Sequence, residues 1–260
     1  MVIVEDAPQQ VVPTLHNNNN RIRPHSKTII GYYASWQWYD RNKLAAPINM
    51  DFKKVTRVNW AFFQTNTQGQ IWGTDSWADP NLLYGPFNWN PSENATKYCS
   101  WDVPNNKNCK AHNYEEGLIY QAHAAGAEIY PSLGGWSLSD PFPAMAADEV
   151  ARSNFVENCA QLIEDYGFDG LDLDWEYPGY EPHAGTPDDT ENYNLLLRDL
   201  RVRLDELGQK TGKFYGLTSA LPCGTKNIAN IDIPTVAEYL TEFNLMTYGE
   251  FHFEYFVMLH

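Results

Sequence analysis

The sequence predicts an α/β fold in which parallel strands alternate with helices, as in a (β/α)8 TIM barrel. Three observations lead to this prediction. The chain has 260 residues, which is enough for one large domain with a substantial core. Apolar segments rich in β-forming residues alternate with segments of helical periodicity, and an acidic strand pattern lies mid-chain between two of them. Alternation alone leaves a doubly wound open sheet as the alternative, because both folds use parallel strands joined by crossover helices.

Six segments are predicted strands because they combine apolar, β-branched and aromatic residues. They are residues 28–35, 55–64, 127–133, 168–174, 215–221 and 243–248. Apolar residues at spacings of three and four predict helices at 114–125, 144–166 and 190–207, with a shorter candidate at 234–240. A closed barrel needs eight strands. We therefore expect an incomplete barrel, with about six of the eight strands present.

Two segments stand outside this alternation. Residues 1–27 have few apolar residues and no periodicity, so we predict a disordered leader followed by one folded domain at 28–260. Residues 65–113 are polar and rich in Asn, Pro and Trp. This stretch is too long for a plain connection, and such loops usually lie on the functional face of a domain.

The composition narrows the class of ligand. With 33 Asp and Glu against 18 Lys and Arg, the formal charge of -15 would repel nucleic acid and anionic lipid, so we expect a neutral or cationic partner. The aromatic share of 14% suits either a core or the stacking of rings on sugar faces. No segment approaches the roughly 20 apolar residues of a membrane helix, and no signal peptide is visible.

The cysteines and one sequon give weaker signals. Cys99 and Cys109 lie ten apart in the polar loop and would form a plausible disulfide in a secreted protein, where Asn94 would be a glycosylation acceptor. Cys159 and Cys223 follow helix and strand patterns and are predicted to be buried thiols. No spacing of Cys and His predicts zinc, so we expect no metal site.

The chemistry is expected in the segment 168–178, FDGLDLDWEYP. Because alternate residues of a strand share a face, Asp172, Asp174 and Glu176 project one way and the apolar residues between them project the other. A half-exposed strand with a wet acidic face would look the same. However, parallel strands between crossover helices are covered on both faces, where adjacent like charges are costly. Stacked acids raise one another's proton affinity, which lets one act as a general acid beside an ionised neighbour, as glycosidic cleavage requires. Glu176 comes last, at the strand end where barrel active sites open, and is the predicted acid.

This strand resembles the signature D-x-x-D-x-D-x-E of glycoside hydrolase family 18, the chitinases and their relatives, which is complete here from Asp169 to Glu176. Other segments agree in order and spacing across residues 28–248: Gly31-Tyr32-Tyr33, Trp60-Ala61-Phe62, Ser132-Leu133-Gly134-Gly135-Trp136 and Met246-Thr247-Tyr248. The resemblance implies retaining hydrolysis of β-1,4-N-acetylglucosamine linkages in chitin or chito-oligosaccharides. It implies no cofactor, a monomer for the complete domain and secretion of the parent enzyme.

The resemblance also implies roles. Glu176 would protonate the leaving oxygen while the substrate's own N-acetyl carbonyl attacks the anomeric carbon. Asp174 would orient the acetamido group, Asp172 would share a proton with Asp174, and Tyr248 would donate a hydrogen bond to the acetamido carbonyl. Asp169 would support the strand from below. The implied substrate contacts are Tyr32, Phe62, Trp136, Tyr177 and Met246. Ser132, Gly134 and Gly135 would form a close-packed turn beside the site.

Two departures from the family pattern follow Tyr248. The family usually places an Asp there, where this sequence has Gly249 and Glu250. The last two strand and helix units, with a Trp that forms the floor beneath the reacting sugar, are also expected to be missing. An open seam would expose unpaired backbone and apolar surface, so we expect a fragment that is poorly stable or prone to association.

Two other functions share these residues. A chitinase-like lectin would bind without cutting, but such lectins generally lose the terminal acid or its neighbour, and both Glu176 and Asp174 are present. An endo-β-N-acetylglucosaminidase acting on N-glycans would keep both acids. The run Tyr177-Pro178-Gly179 after the acid looks more like a chitinase.

Overall fold

The computed structural model describes residues 27–40, 43–76, 78–84 and 116–248. These residues form one sheet with helices packed against it. Its strands are β1 (Ile30–Ala34), β2 (Arg57–Thr65), β3 (Ile71–Gly73), β4 (Glu128–Gly134), β5 (Gly170–Asp174), β6 (Gly216–Pro222) and β7 (Glu242–Met246). All six predicted strands are confirmed, and β3 is an addition.

The main strands follow chain order, β1-β2-β4-β5-β6-β7, and every neighbouring pair is parallel. The short β3 pairs antiparallel with the end of β2. Within the described residues, β1 and β7 each pair on one side only.

The sheet is curled into part of a barrel, as one ion pair shows. Arg57 in β2 lies 2.6 Å from Glu242 in β7, although three strands separate β2 from β7. In a flat sheet the two strands would stand about 19 Å apart, at about 4.8 Å per step. Even two long side chains would not close that gap, so the strands must curve round a shared interior. The α/β barrel-type fold predicted with about six strands is therefore confirmed.

The helices cover the outer face of this sheet. They are α1 (Ala78–Tyr84), α2 (Leu118–Ala124), α3 (Phe142–Ala147), α4 (Glu149–Tyr166), α5 (Asp189–Thr211), α6 (Thr225–Ile228) and α7 (Ile233–Val236). Short 3-10 turns lie at Ser35–Tyr39, Pro47–Asn49, Phe52–Lys54, Trp136–Leu138 and Glu181–His183. The long predicted helices α4 and α5 are present, and α2 is shorter than expected.

Two expectations need correction. The single helix predicted at 144–166 is divided, because Asp148 adopts an extended conformation and caps α4 through a 2.8 Å hydrogen bond from the Ala151 N–H. The predicted loop at 65–113 contains both β3 and α1. A three-residue strand is too short to show alternation, so its sequence carried no usable signal.

The outward side of β5 is packed into the main apolar core. Trp175, just after the strand, stacks on Phe142 of α3 with ring centroids 5.6 Å apart and meets Tyr193 of α5 at 5.8 Å. All three side chains are buried. Because these helices cover the outer face, the acidic residues of the strand must face the barrel interior.

Several sequence-based predictions fall outside the described residues. They are the disordered leader, apart from Lys27, the Asn94 sequon, the pairing of Cys99 with Cys109, and the residues after Tyr248. Cys159 is buried as predicted, but Cys223 is only half-buried because it follows the last residue of β6. None of the described helices has the length and apolar character needed to cross a membrane.

Candidate active site

Two buried carboxyl groups lie on the inner face of β5. Asp172 is fully buried and Asp174 is 4% exposed, and Glu176 follows them, half-buried, just past the end of the strand. The alternative of a wet, half-exposed acidic face is therefore wrong. Burying adjacent carboxyl groups is costly when they are ionised and uncompensated.

Asp172 is the centre of a hydrogen-bond network. Its Oδ2 accepts from Tyr32 Oη at 2.9 Å and Ser132 Oγ at 2.7 Å. Its Oδ1 accepts from Thr218 Oγ1 at 2.6 Å and Asn244 Nδ2 at 2.8 Å. A carboxylate offers about four acceptor positions, and these four donors, from four different strands, occupy them. The arrangement fixes the position of Asp172.

Thr218 and Asn244 are site residues that the sequence reasoning missed. Asn244 also donates to Thr218 Oγ1 at 3.3 Å, so the two act as a linked pair. Both residues lie in predicted strands. A polar residue on the inward face of each strand, at the level of the acids, was the signal that could have identified them. Only the curl of the sheet shows that β7 reaches Asp172, which lies 72 residues earlier in the chain.

Asp174 differs sharply from Asp172. Its Oδ1 is buried and has no hydrogen-bond partner among the described residues. Burial first, and then the charges of Asp172 and Glu176, raise the pKa of Asp174 well above its ordinary value. A buried carboxyl group without donors is most stable when it is protonated.

Glu176 is also shifted towards its protonated form. Burial raises the pKa of Glu176, while the Tyr177 hydroxyl, the charge of nearby His183 and the backbone N–H of Trp136 oppose that rise. A half-buried carboxyl group with a raised pKa, just past the end of a barrel strand, is suited to donate a proton near neutral pH.

Aromatic side chains surround these acids. Trp136 is 52% exposed and meets Tyr177 edge to face at 6.3 Å, beside Glu176. Phe62, in β2, stacks on Trp36 at 5.9 Å. Tyr32 is 44% exposed even though its hydroxyl reaches Asp172. These rings are available to a ligand with flat apolar faces.

Two more of the predicted site residues come from β7 and the residues just after it. Met246 ends β7 opposite Pro222 and is half-buried. Tyr248 is 76% exposed. Partial burial and the charges of Asp174, Glu176 and Asp172 raise the pKa of Tyr248, so its hydroxyl lies within the electrostatic reach of the acids. No hydrogen bond joins Tyr248 to these carboxyl groups in the described part of the chain, which leaves its hydroxyl for a ligand.

The predicted turn at 132–135 needs one correction. Ser132 and Gly134 belong to strand β4, and Ser132 donates to Asp172 from within the strand. The two glycines do form a close approach. Gly134 has φ +111° and a Cβ there would lie 2.2 Å from the Asp174 carbonyl oxygen, while a Cβ on Gly135 would lie 3.1 Å from the Phe62 ring. Larger residues would push the acidic strand and the aromatic wall away.

Asp169 lies at the opposite end of the same strand. Its Oδ2 accepts a 3.0 Å hydrogen bond from the Ile129 N–H and lies 2.8 Å from His123 Nε2. It therefore ties β5 to β4 and to helix α2, away from the other three acids. This placement supports the structural role that the motif implies.

Comparison with known proteins assigns the chain to a family. The sequence profile of Glycosyl hydrolases family 18 matches residues 28–255. The chain belongs to this family. This family 18 chain is 31% identical over 220 residues to Endochitinase 1 of Metarhizium robertsii, covering 84% of this chain and 46% of that protein. It is 32% identical over 246 residues to Chitinase A1 of Niallia circulans, covering 86% and 34%.

Solved structures of family 18 proteins agree. Chitinase ChiA74 from Bacillus thuringiensis superimposes with a TM-score of 0.65 at 29% identity, over 86% of this chain and 40% of that one. Ostrinia furnacalis Group IV chitinase, in complex with allosamidin, gives 0.64 at 26% identity, over 85% and 51%. This family 18 chain spans about half, or less, of the length of these relatives.

Proposed function

We propose that this family 18 chain is the catalytic part of a chitinase, which hydrolyses β-1,4 linkages between N-acetylglucosamine units with retention of configuration. One observation carries the proposal. Glu176 has a raised pKa at the open end of β5, directly after a buried pair of acids whose environments differ. Unequal environments around paired acids separate their protonation states, as acid-assisted glycoside cleavage requires.

The proposed mechanism follows from these states. Glu176 gives its proton to the glycosidic oxygen as the bond to the anomeric carbon breaks. The carbonyl oxygen of the substrate's own acetamido group bonds to that carbon from the opposite face. Water then attacks the anomeric carbon and gives a proton to the Glu176 carboxylate, which acts as the base. The oxazolinium ring reopens to the acetamido group, and Glu176 is again protonated. Two successive inversions give net retention, and no protein nucleophile is needed.

The neighbouring acids would control the charge. Because burial and the neighbouring acids raise the pKa of Asp174, this residue would hold a proton in the free enzyme. The unpartnered Oδ1 of Asp174 would accept a hydrogen bond from the substrate's acetamido N–H and so help to stabilise the positive charge of the oxazolinium intermediate. Tyr248, with its exposed hydroxyl, would hold the acetamido carbonyl in line.

The partner is proposed to be chitin or a chito-oligosaccharide. Tyr32, Phe62, Trp136, Tyr177 and Met246 would line the subsites, with ring faces stacked on sugar C–H groups. A polymeric, uncharged substrate fits the formal charge of -15, which gives no attraction to polyanions. An extracellular location for the parent enzyme follows from an insoluble substrate.

The substrate class is tested by comparing cleavage of two substrates. The chain is incubated with a chitin hexamer and, separately, with a high-mannose glycopeptide, and products are followed by mass spectrometry. We expect shorter chito-oligosaccharides from the first and nothing from the second. Cleavage of the glycopeptide alone would identify an endo-β-N-acetylglucosaminidase, and binding of the hexamer without cleavage would identify a lectin. Proton NMR during the first minutes should show the β anomer before mutarotation.

The pH dependence follows from Glu176. The acid must be protonated to act, so kcat should be high below its pKa and fall as pH rises through it. Because burial raises that pKa, the fall should lie above the range of an ordinary glutamate, about 4.3. Tyr177→Phe removes a hydroxyl that lowers the pKa of Glu176, so its profile should fall at still higher pH. A shift of the Tyr177→Phe profile to lower pH would contradict this account.

A further inference from the structure

The backbone of Glu176 is held by a side chain on each side. Its N–H donates to Ser139 Oγ at 2.8 Å, and its carbonyl oxygen lies 2.8 Å from His183 Nδ1. Since a carbonyl oxygen only accepts, the Nδ1 of His183 must carry a hydrogen in this contact. Both peptide groups that flank the acid are therefore anchored by side chains outside the D-x-x-D-x-D-x-E strand.

Both anchors also lead to Trp136. The Ser139 hydroxyl donates a 2.9 Å hydrogen bond to the carbonyl oxygen of Gly135, the residue directly before Trp136. The His183 ring packs edge to face on Trp136, with centroids 4.5 Å apart. The backbone N–H of Trp136 in turn lowers the pKa of Glu176. The proton donor and the exposed aromatic ring are thus connected through both Ser139 and His183.

The loop that carries His183 is itself fixed. The buried carboxylate of Asp189, at the start of α5, accepts from Gly179 N–H at 2.9 Å, Thr186 N–H at 3.0 Å and Thr186 Oγ1 at 2.8 Å. The His183 N–H bonds the Tyr180 carbonyl oxygen at 3.0 Å inside this loop. His183 therefore meets Glu176 from a loop tied at both ends, and Ser139 meets it from a fully buried position.

We propose that Ser139 and His183 are positioning residues, which hold the acid Glu176 and the sugar-stacking ring of Trp136 in one fixed arrangement. The inference rests on the proposed function and deepens it. A proton donor must lie within about 3 Å of the oxygen it protonates, and a shift of about 1 Å costs about a hundredfold in rate. The Trp136 ring that would stack on the sugar and the acid Glu176 that would protonate its linkage must therefore keep a fixed relative position.

Two substitutions of His183 separate its two contacts. His183→Asn keeps an N–H donor near the position of Nδ1 but removes the ring, whereas His183→Phe keeps a ring on Trp136 but removes the donor. On a chitin hexamer we expect His183→Phe to lower kcat about tenfold with KM little changed. His183→Asn should raise KM several-fold with kcat nearly retained. Ser139→Ala should lower kcat about as much as His183→Phe.

A merely structural role gives a different pattern. His183→Phe and His183→Asn would then lower the melting temperature while the folded protein kept wild-type kcat and KM, and that result would overturn the proposal. Equal kcat and KM for the two His183 variants would also overturn it. Because His183 is half-exposed, its variants should fold even if Ser139→Ala does not.

A failure of the proposed function remains distinguishable. If the wild-type chain cleaves nothing, binding of the hexamer is compared between wild type and His183→Asn by tryptophan fluorescence. Weaker binding by His183→Asn supports the proposal that the His183 ring positions Trp136 for the sugar, and equal or absent binding overturns it. Imidazole ¹⁵N NMR, with His183→Phe to assign the signal, checks the geometry without substrate: the Nδ1–H tautomer is expected, and the Nε2–H tautomer contradicts the contact with Glu176.

Discussion

Glu176→Gln is expected to lower kcat on a chitin hexamer by about 10²- to 10⁴-fold, the range of a lost general acid. Glutamine keeps the size of the side chain and its acceptor oxygen but has no proton to give to the leaving group. The backbone contacts of Glu176 and the surrounding rings are untouched, so calorimetry should show hexamer binding close to wild type. A loss confined to kcat places the residue in the chemical step rather than in binding.

Glu206→Gln is the matched control for that variant. Glu206 is exposed on α5, far along the chain from the acidic strand, and receives the same chemical change. Its kcat should equal that of the wild type. Should Glu176→Gln retain wild-type kcat while Glu206→Gln does the same, the acid would have to be another residue and the proposed mechanism would fail.

Arg57→Met is expected to lower the free energy of unfolding by about 3–5 kcal/mol, the usual effect of removing one partner from a buried ion pair. The buried Arg57 guanidinium lies 2.6 Å from Glu242 and 3.2 Å from Glu128, and it stacks over the Tyr130 ring at 4.2 Å. Methionine replaces the bulk of the side chain but leaves two carboxylates without their cation. Urea unfolding at pH 7, followed by tryptophan fluorescence, measures the change.

Arg198→Met provides the comparison. Arg198 pairs with Asp199 at 2.8 Å, but its side chain is 47% exposed, so water screens the pair and the loss should be at most about 1 kcal/mol. Adding Glu128→Gln and Glu242→Gln to Arg57→Met should recover part of the stability by removing the stranded charges. Equal unfolding midpoints for Arg57→Met and Arg198→Met would show that the contact between β2 and β7 does not hold the curl of the sheet.

Much of the fold was predictable because local patterns of residue type and spacing indicate its strands and helices. β-branched and aromatic residues mark β2 and β4, and the regular spacing of leucines marks α5. The position of the acids was predictable for a related reason. Two-residue alternation, together with a mid-chain location between helices, required Asp172 and Asp174 to be buried, and they are.

The support around the acids was not predictable from local patterns. Asn244 and His183 are ordinary polar residues in their own segments and become part of the site only through contacts made by the folded chain. Nothing near Ser139 in the sequence distinguishes it from a loop serine. The division of the predicted helix at Asp148 was not predictable either. An Asp is as compatible with the exposed face of a continuous helix as with an N-cap position, and only the backbone conformation distinguishes the two.

The hydrogen bonds of strand β5 have a consequence for how the chain finds its native pairing. The strand is held beside β4 at one end by Asp169 and the Ile129 N–H, in its middle by Asp172 and Ser132, and at its other end by the 2.7 Å bond from Gly135 N–H to the Asp174 carbonyl oxygen. A slip of one residue would move the strand by about 3.3 Å and turn every side chain to the opposite face. Asp172 would then face the apolar helices and lose its four donors at once. Asp172, which is proposed to act in catalysis, thus also favours the native register of the strand, so selection for catalysis and selection for correct assembly would act on the same residue.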